Sequence, residues 1–412
     1  MVIQRPYYLN QVVAGIGNGL IKVITGISRC GKSFLLSRIF RDYLLSEGVA
    51  PDHIIHIPLD DRRNSALKNP DNFLEYVDAL TTGDGNFYLL VDEVQMMDDF
   101  VSVLNSLLYS TNVDVFVTGS NSKLLSKDLV TEFRGRSDEI HMYPLSFKEL
   151  FSFVNTDFDT AWQQYYTFGG LPQVVMISDE QKKKTYLENL MQTVFFKDIV
   201  ERNKIKYSHE LEELTKLLAS SIGSPTNPLK LSNTFKSVKK IDISSRTLSK
   251  YLDFMCNAFL IEDAVRFNIK GKKYINTLKK YYFTDTGLRN GLLNFRQIEP
   301  THLMENIIYN ELLIRGFSVD VGMVEIREKN KDGNIVRKQL EVDFIANKGD
   351  ECFYIQSAYR MDDDGKKEQE MASLNKIDDS FKKIIIVRDN IKQYYNERGY
   401  LIMGLKDFLL NF

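Results

Sequence analysis

Five apolar, β-rich runs punctuate the first 150 residues, at 20–25, 54–59, 87–91, 113–118 and 140–144. Helical stretches separate them: 33–40 has an amphipathic repeat, and 98–111 has the pattern of a crossover helix. The run at 87–91 is continuously apolar, as expected of a strand buried on both faces. This alternation predicts an α/β fold, a doubly wound parallel sheet over 1–150.

The pattern then changes. Residues 151–205 read as helical and aromatic, broken by Gly169-Gly170-Leu171-Pro172, which forces a turn. Helical repeats follow at 210–222, 227–239 and 244–260, the last with Ser244 as N-cap ahead of Leu248, Tyr251, Leu252 and Met255. A tract carrying Arg266, Lys270, Lys272, Lys273, Lys279 and Lys280 is interleaved with Phe267, Tyr274, Tyr281 and Tyr282. Such a tract suits either a wing that meets nucleic-acid phosphates or a solvated edge hairpin. Beyond it lie a helix at 304–314, strands at 340–345 and 353–358, and a closing helix at 405–412.

The chemistry concentrates at strand ends. Gly26-Ile27-Ser28-Arg29-Cys30-Gly31-Lys32-Ser33, followed by Phe34, fits G-x-x-x-x-G-K-[ST] between a strand and a helix. Backbone N–H groups there would close on phosphate oxygens of ATP, Lys32 would reach the β- and γ-phosphates, and Ser33 would ligate Mg2+. The run 87–91 ends in Asp92-Glu93, so Asp92 would hold Mg2+ through water and Glu93 would orient the attacking water. After 113–118, Ser120 or Asn121 either senses the γ-phosphate or caps the next helix. Arg134 or Arg136 either reaches a neighbouring subunit's γ-phosphate, which requires a homo-oligomer, or makes surface pairs.

In the order phosphate loop, Leu90 to Gln95, Thr118 to Ser122, Arg134 to Arg136, Tyr143 to Glu149 and Gly169 to Pro172, the chain resembles a family of prokaryotic AAA+-type P-loop ATPases. The C-terminal part of that family resembles the restriction-endonuclease fold. The resemblance implies an ATPase domain at 1–150, a helical lid or linker at 151–205, a winged-helix-like module at 206–292 and a restriction-endonuclease-like domain at 293–412.

That nuclease fold requires an Asp and then Glu-x-Lys on successive strands, to hold a metal and stabilise the attacked phosphate. Here Asp343 is present, Glu305 and Glu311 lie on the preceding helix, and Gln356 and Ala358 stand where Glu and Lys belong. The expectation is a nuclease-like fold without nuclease activity, with Lys366 or Lys367 as the only substitutes.

Composition adds limits. Cys30, Cys256 and Cys352 are widely spaced, and with the five histidines they form no metal-ligand pattern. No apolar run is long enough to cross a bilayer and the start lacks a signal-peptide pattern, so a cytoplasmic protein without membrane contact is expected. A net charge of −2 excludes a broadly basic nucleic-acid binder and leaves only a local patch. Three functions fit: an ATPase coupled to a DNA-associated action, an ATP-dependent switch acting on a protein client, or an ATP-gated nuclease.

Overall fold

The computed structural model describes residues 2–120, 135–206, 208–329, 334–361 and 364–412. The chain divides into two compact units, the first built from 1–144, 171–173 and 257–259, the second from the remainder.

The first unit is a five-stranded, wholly parallel sheet of β1 (Ile21–Thr25), β2 (Ile54–Pro58), β3 (Phe87–Asp92), β4 (Val113–Gly119) and β5 (Ser137–His141). Its spatial order is β2-β3-β4-β1-β5. β1 and β4 are buried nearly throughout, which is why their apolar runs do not alternate. One face packs Ile21, Val23, Leu89, Val91, Val115 and Val117 against Phe73 and Val77 of the helix Pro70–Leu80 and Val103, Leu104 and Leu107 of Phe100–Leu107. The 140–144 run begins earlier than its apolar residues suggest, because Ser137–Glu139 pair with Ile21–Val23 although their own side chains are polar. Backbone pairing to a central strand outweighs their low apolar content.

In the second unit, helices run from Phe147–Phe153 to Thr286–Leu292, and Ser146 and Glu149 close a capping box at the first of them. The Gly169-Gly170 break receives the Asp285 carboxylate: the Gly170 N–H donates to Asp285 Oδ2 at 2.7 Å. A Cβ on Gly169 would lie 2.2 Å from that carboxylate, so only glycine fits. Asp285 also caps the helix Thr286–Leu292 through the Leu288 N–H.

The predicted three-helix stretch is observed as Ser208–Ser220, Pro228–Thr234 with a π-helical extension Phe235–Lys239, and Ser245–Asn257. Ser244 caps the third helix through the Thr247 N–H. The strands β6 (Ile261–Asn268) and β7 (Lys273–Phe283) form a hairpin. That hairpin does not stand alone. β6 pairs in parallel with β8 (Ser318–Lys329), extending one sheet through β9 (Ile335–Lys348), β10 (Glu351–Ala358), β11 (Lys382–Val387), β13 (Leu401–Gly404) and the short β12 (Tyr394–Tyr395). The helix Pro300–Ile314 ties onto it: Asn306 accepts from the Phe283 N–H and donates back to the Phe283 carbonyl, both at 2.8 Å.

Candidate functional site

Register brings the first unit's chemistry to one edge. Ile24 lies opposite Thr118, Thr25 opposite Gly119 and His141, and Val91 opposite Val117, so the C-terminal ends of β1, β3, β4 and β5 are level. This is the edge where a parallel sheet presents ligand-binding groups.

The glycine-rich loop leaves β1 through Gly26 at φ +144° and enters the helix Lys32–Phe34 through Gly31 at φ +105°. A Cβ on Gly26 would fall 2.0 Å from the Met142 carbonyl oxygen. Neither position tolerates a side chain without strain. Lys32 is buried and its Nζ donates to the carbonyls of Gly26 and Ile27 at 2.9 and 3.0 Å. The Cys30 thiol is fully buried and donates to the Met142 carbonyl at 3.3 Å. Ser28 is partly exposed, and Arg29, Ser33 and Phe34 are exposed, at the loop's outer side.

Asp92 is buried at the end of β3. Burial pushes its carboxyl above the usual range, opposed by hydrogen bonds from the Ser33 and Thr118 hydroxyls. A hydroxyl from the phosphate loop and a carboxylate from β3 thus meet directly, a donor set that fits Mg2+. Glu93 takes a left-handed conformation (φ +54°), which turns its side chain off the strand line. Its N–H donates to Thr118 Oγ1 at 3.1 Å, and its Oε2 accepts from Ser120 Oγ at 3.2 Å and from Gln95 Nε2. Ser120 is therefore bonded to the proposed water-orienting carboxylate.

Thr118, Gln95, Arg5 and His141 belong to this site although the sequence reading assigned them no role. Thr118 joins Asp92 to the Glu93 backbone. Arg5 donates to the carbonyls of Cys30 (3.1 Å), Tyr143 (2.8 Å) and Pro144 (3.3 Å), and its guanidinium stacks on Tyr8. His141 meets Thr25 Oγ1 through Nδ1 at 3.2 Å; burial, with Lys32 adding to it, lowers its pKa to about 4. A lone Arg or His in a sequence carries no such signal; the pairing of β5 with β1 reveals His141, and contacts with the carbonyls of Cys30, Tyr143 and Pro144 reveal Arg5. Arg136 is exposed, while Asn121 and Arg134 lie outside the described residues.

The second unit holds a separate polar cluster. Lys280 of β7 is 3 % exposed, and its Nζ lies 2.9 Å from Glu305 Oε1 and 2.7 Å from Glu341 Oε1. Burial lowers its pKa, but attraction to Glu305, Asp343 and Glu341 outweighs that and holds the ammonium above its ordinary value. The Tyr282 hydroxyl donates to Glu305 at 2.7 Å, and the Ser357 N–H to Asp343 Oδ2 at 2.8 Å. Burial, then Glu305, pushes Asp343 well above the carboxylate range. Glu305 and Asp343 thus both lie close to the Lys280 ammonium. Glu311 turns elsewhere, accepting from the Phe147 N–H at 2.6 Å and pairing with Arg315. Gln356 donates to Glu370 at 3.5 Å.

The basic tract is rearranged relative to expectation. Arg266 and Lys280 are buried and Lys279 pairs with Asp263 at 2.5 Å, so of the six cations only Lys270, Lys272 and Lys273 are exposed. Glu305 of the helix Pro300–Ile314 and Glu341 of β9 cover Lys280, and Gln339 of β9 meets Arg266.

Residues 18–151 match the family model described as "AAA domain", and 159–299 match a domain of unknown function, DUF8612. An uncharacterized protein of Haemophilus influenzae is 35 % identical over 418 residues, 99 % of both chains. The uncharacterized protein MJ1544 of Methanocaldococcus jannaschii is 29 % identical, over 92 % of this chain and 83 % of that one. Among solved structures, the Aeropyrum pernix ORC1 protein in complex with DNA aligns at 10 % identity over 71 % of this chain and 92 % of that one, with a TM-score of 0.29, too slight a likeness to carry an argument. With its P-loop and AAA domain at the N-terminal end, the chain belongs to the same family as the Haemophilus influenzae protein.

Proposed function

We propose that the chain hydrolyses ATP to ADP and phosphate and couples its nucleotide state to a DNA-associated action through the second unit. The observation that carries the hydrolytic part is the meeting of Ser33 and Asp92 beside Glu93, which is fixed by Thr118 and Ser120. The loop N–H groups and Lys32 bind and orient the phosphates, Lys32 releasing the Gly26 and Ile27 carbonyls to do so. Ser33 and Asp92 would hold Mg2+, which would supply neutralising charge to the phosphates. Glu93 positions the attacking water and draws its proton, with Ser120 and Gln95 holding the carboxylate in place. Arg134 or Arg136 from a second copy, and Ser120 or Asn121 as γ-phosphate sensor, complete the reading.

The nuclease-like part acts in this reading as a binding module without cleavage. Lys280 already occupies Glu305 and Glu341, and Gln356 and Ala358 replace the charged pair such cleavage uses.

Turnover of wild-type protein and Glu93→Gln with and without duplex DNA, at two salt concentrations, tests the proposal. DNA stimulation that fades with salt supports the coupling. Turnover indifferent to DNA moves the function to a protein-directed switch, and metal-dependent cleavage abolished by Asp343→Ala overturns the inactive-nuclease assignment.

A further inference from the structure

The second unit carries an unpaired positive face outside both clusters. Residues 228–250 hold Lys230, Lys236, Lys239, Lys240, Arg246 and Lys250 against a single acid, Asp242, in a chain whose net charge is −2. The fold explains why these cations stand outward. Leu231 and Phe235 of the second helix, and Leu248, Tyr251, Leu252 and Met255 of the third, are buried, and Thr215 Oγ1 of the first helix contacts Met255 Sδ at 3.2 Å. The polar side of the same helices is thereby left to solvent. Lys239 is held by Glu213 at 2.6 Å. Lys236, Lys240, Arg246 and Lys250 are exposed, and among the described residues no carboxylate pairs with them.

On the helix Ser245–Asn257, Arg246 and Lys250 are one turn apart on the face opposite the buried stripe, and the exposed Asp253 is the acid that shares this face one turn on. Lys236 and Lys240 lie on the preceding π-helical turn and its left-handed exit, where Lys240 has φ +59°. A solvated face is normally of mixed charge. Lys236, Lys240, Arg246 and Lys250 fall within fifteen residues of chain, all exposed, and cations so placed bind a polyanion favourably because each phosphate they neutralise releases condensed counterions.

We infer that this face, centred on Lys236, Lys240, Arg246 and Lys250, docks duplex DNA. The inference rests on the proposed DNA coupling and names its surface. Duplex DNA is favoured over duplex RNA because an exposed helix enters the B-form major groove, about 12 Å wide, whereas the A-form groove is too narrow for side chains to read. In this geometry the helix Ser245–Asn257 lies along the groove while Lys236 and Lys240 meet the backbone.

Fluorescence anisotropy of the full chain with a labelled duplex of about 25 bp, between about 50 and 200 mM salt, tests it. The variant is Lys236→Gln/Lys240→Gln/Arg246→Gln/Lys250→Gln, with Arg substituted at the three lysines as the charge-retaining control and circular dichroism to confirm folding. The expected result is salt-dependent binding by wild type, a slope of log K against log salt shallower by about 3 to 4 in the Gln variant, and near wild-type behaviour in the Arg control. Wild-type binding unchanged by the four Gln substitutions overturns this face and leaves DNA coupling standing. Absence of wild-type binding to DNA overturns both, and equal, equally sensitive binding to duplex RNA overturns the groove assignment.

Discussion

Replacing Lys280 by Met removes the only cation bonded to Glu305 and Glu341 among the described residues while keeping the volume of its stem. Both partners are within 3 Å of the ammonium, and Asp343 lies in the same buried neighbourhood. Taking one member from a buried ion pair leaves uncompensated charge and costs about 3 to 5 kcal/mol. For a unit of this size each kcal/mol lowers Tm by about 2 to 4 °C, giving a fall of roughly 10 °C at pH 7. Burial, then Glu305, already pushes Asp343 up, and losing the Lys280 ammonium that opposes this pushes it further, so its protonation relieves part of the cost and the loss shrinks as pH falls towards 5. Trp162, the chain's single tryptophan, is buried in the second unit and reports its unfolding by fluorescence. Adding Glu305→Gln to Lys280→Met should restore part of the stability, since it removes a charge that has lost its partner. A fall below about 2 °C at pH 7, or an equal fall at pH 5 and pH 7, refutes Lys280 as the counter-ion of this cluster.

Three further outcomes follow from the nucleotide site. Thr118→Val leaves Asp92 and the Glu93 N–H without the hydroxyl they share, so turnover should fall about tenfold to a hundredfold while ATP affinity changes little; unchanged steady-state turnover would contradict that coupling. Arg5→Gln loses the charged donor that holds Cys30 and the β5 exit, and should destabilise the first unit by about 2 to 4 kcal/mol and weaken ATP binding more than kcat, read by denaturation and titration. His141, with a pKa near 4 against an ordinary 6.5, keeps its proton off in the fold but not in the unfolded chain, so stability present above pH 6.5 is lost as pH falls towards 4. The loss reaches up to about 3 kcal/mol, and denaturation of His141→Gln across that window should lack the decline.

Local pattern carried much of the first unit. Gly26 to Ser33 and the 87–93 run announced their geometry because a tight glycine turn and a doubly buried strand leave few alternatives, and the Ser244 cap was equally readable. Arg5, Thr118 and His141 were illegible because their roles depend on contacts between strands and segments more than 20 residues apart. The basic hairpin misled for the same reason: Lys280 reads as a surface cation until β6 is known to pair with β8 and the carboxylates of Glu305 and Glu341 close over it.

The central claim, that Glu93 orients the hydrolytic water at a site built by the P-loop residues Lys32 and Ser33 with Asp92 of β3, is tested by ATP binding and turnover measured side by side for Glu93→Gln and Lys32→Ala. The account predicts that Glu93→Gln retains ATP and ceases to turn it over, whereas Lys32→Ala loses binding. Normal hydrolysis by Glu93→Gln would contradict it.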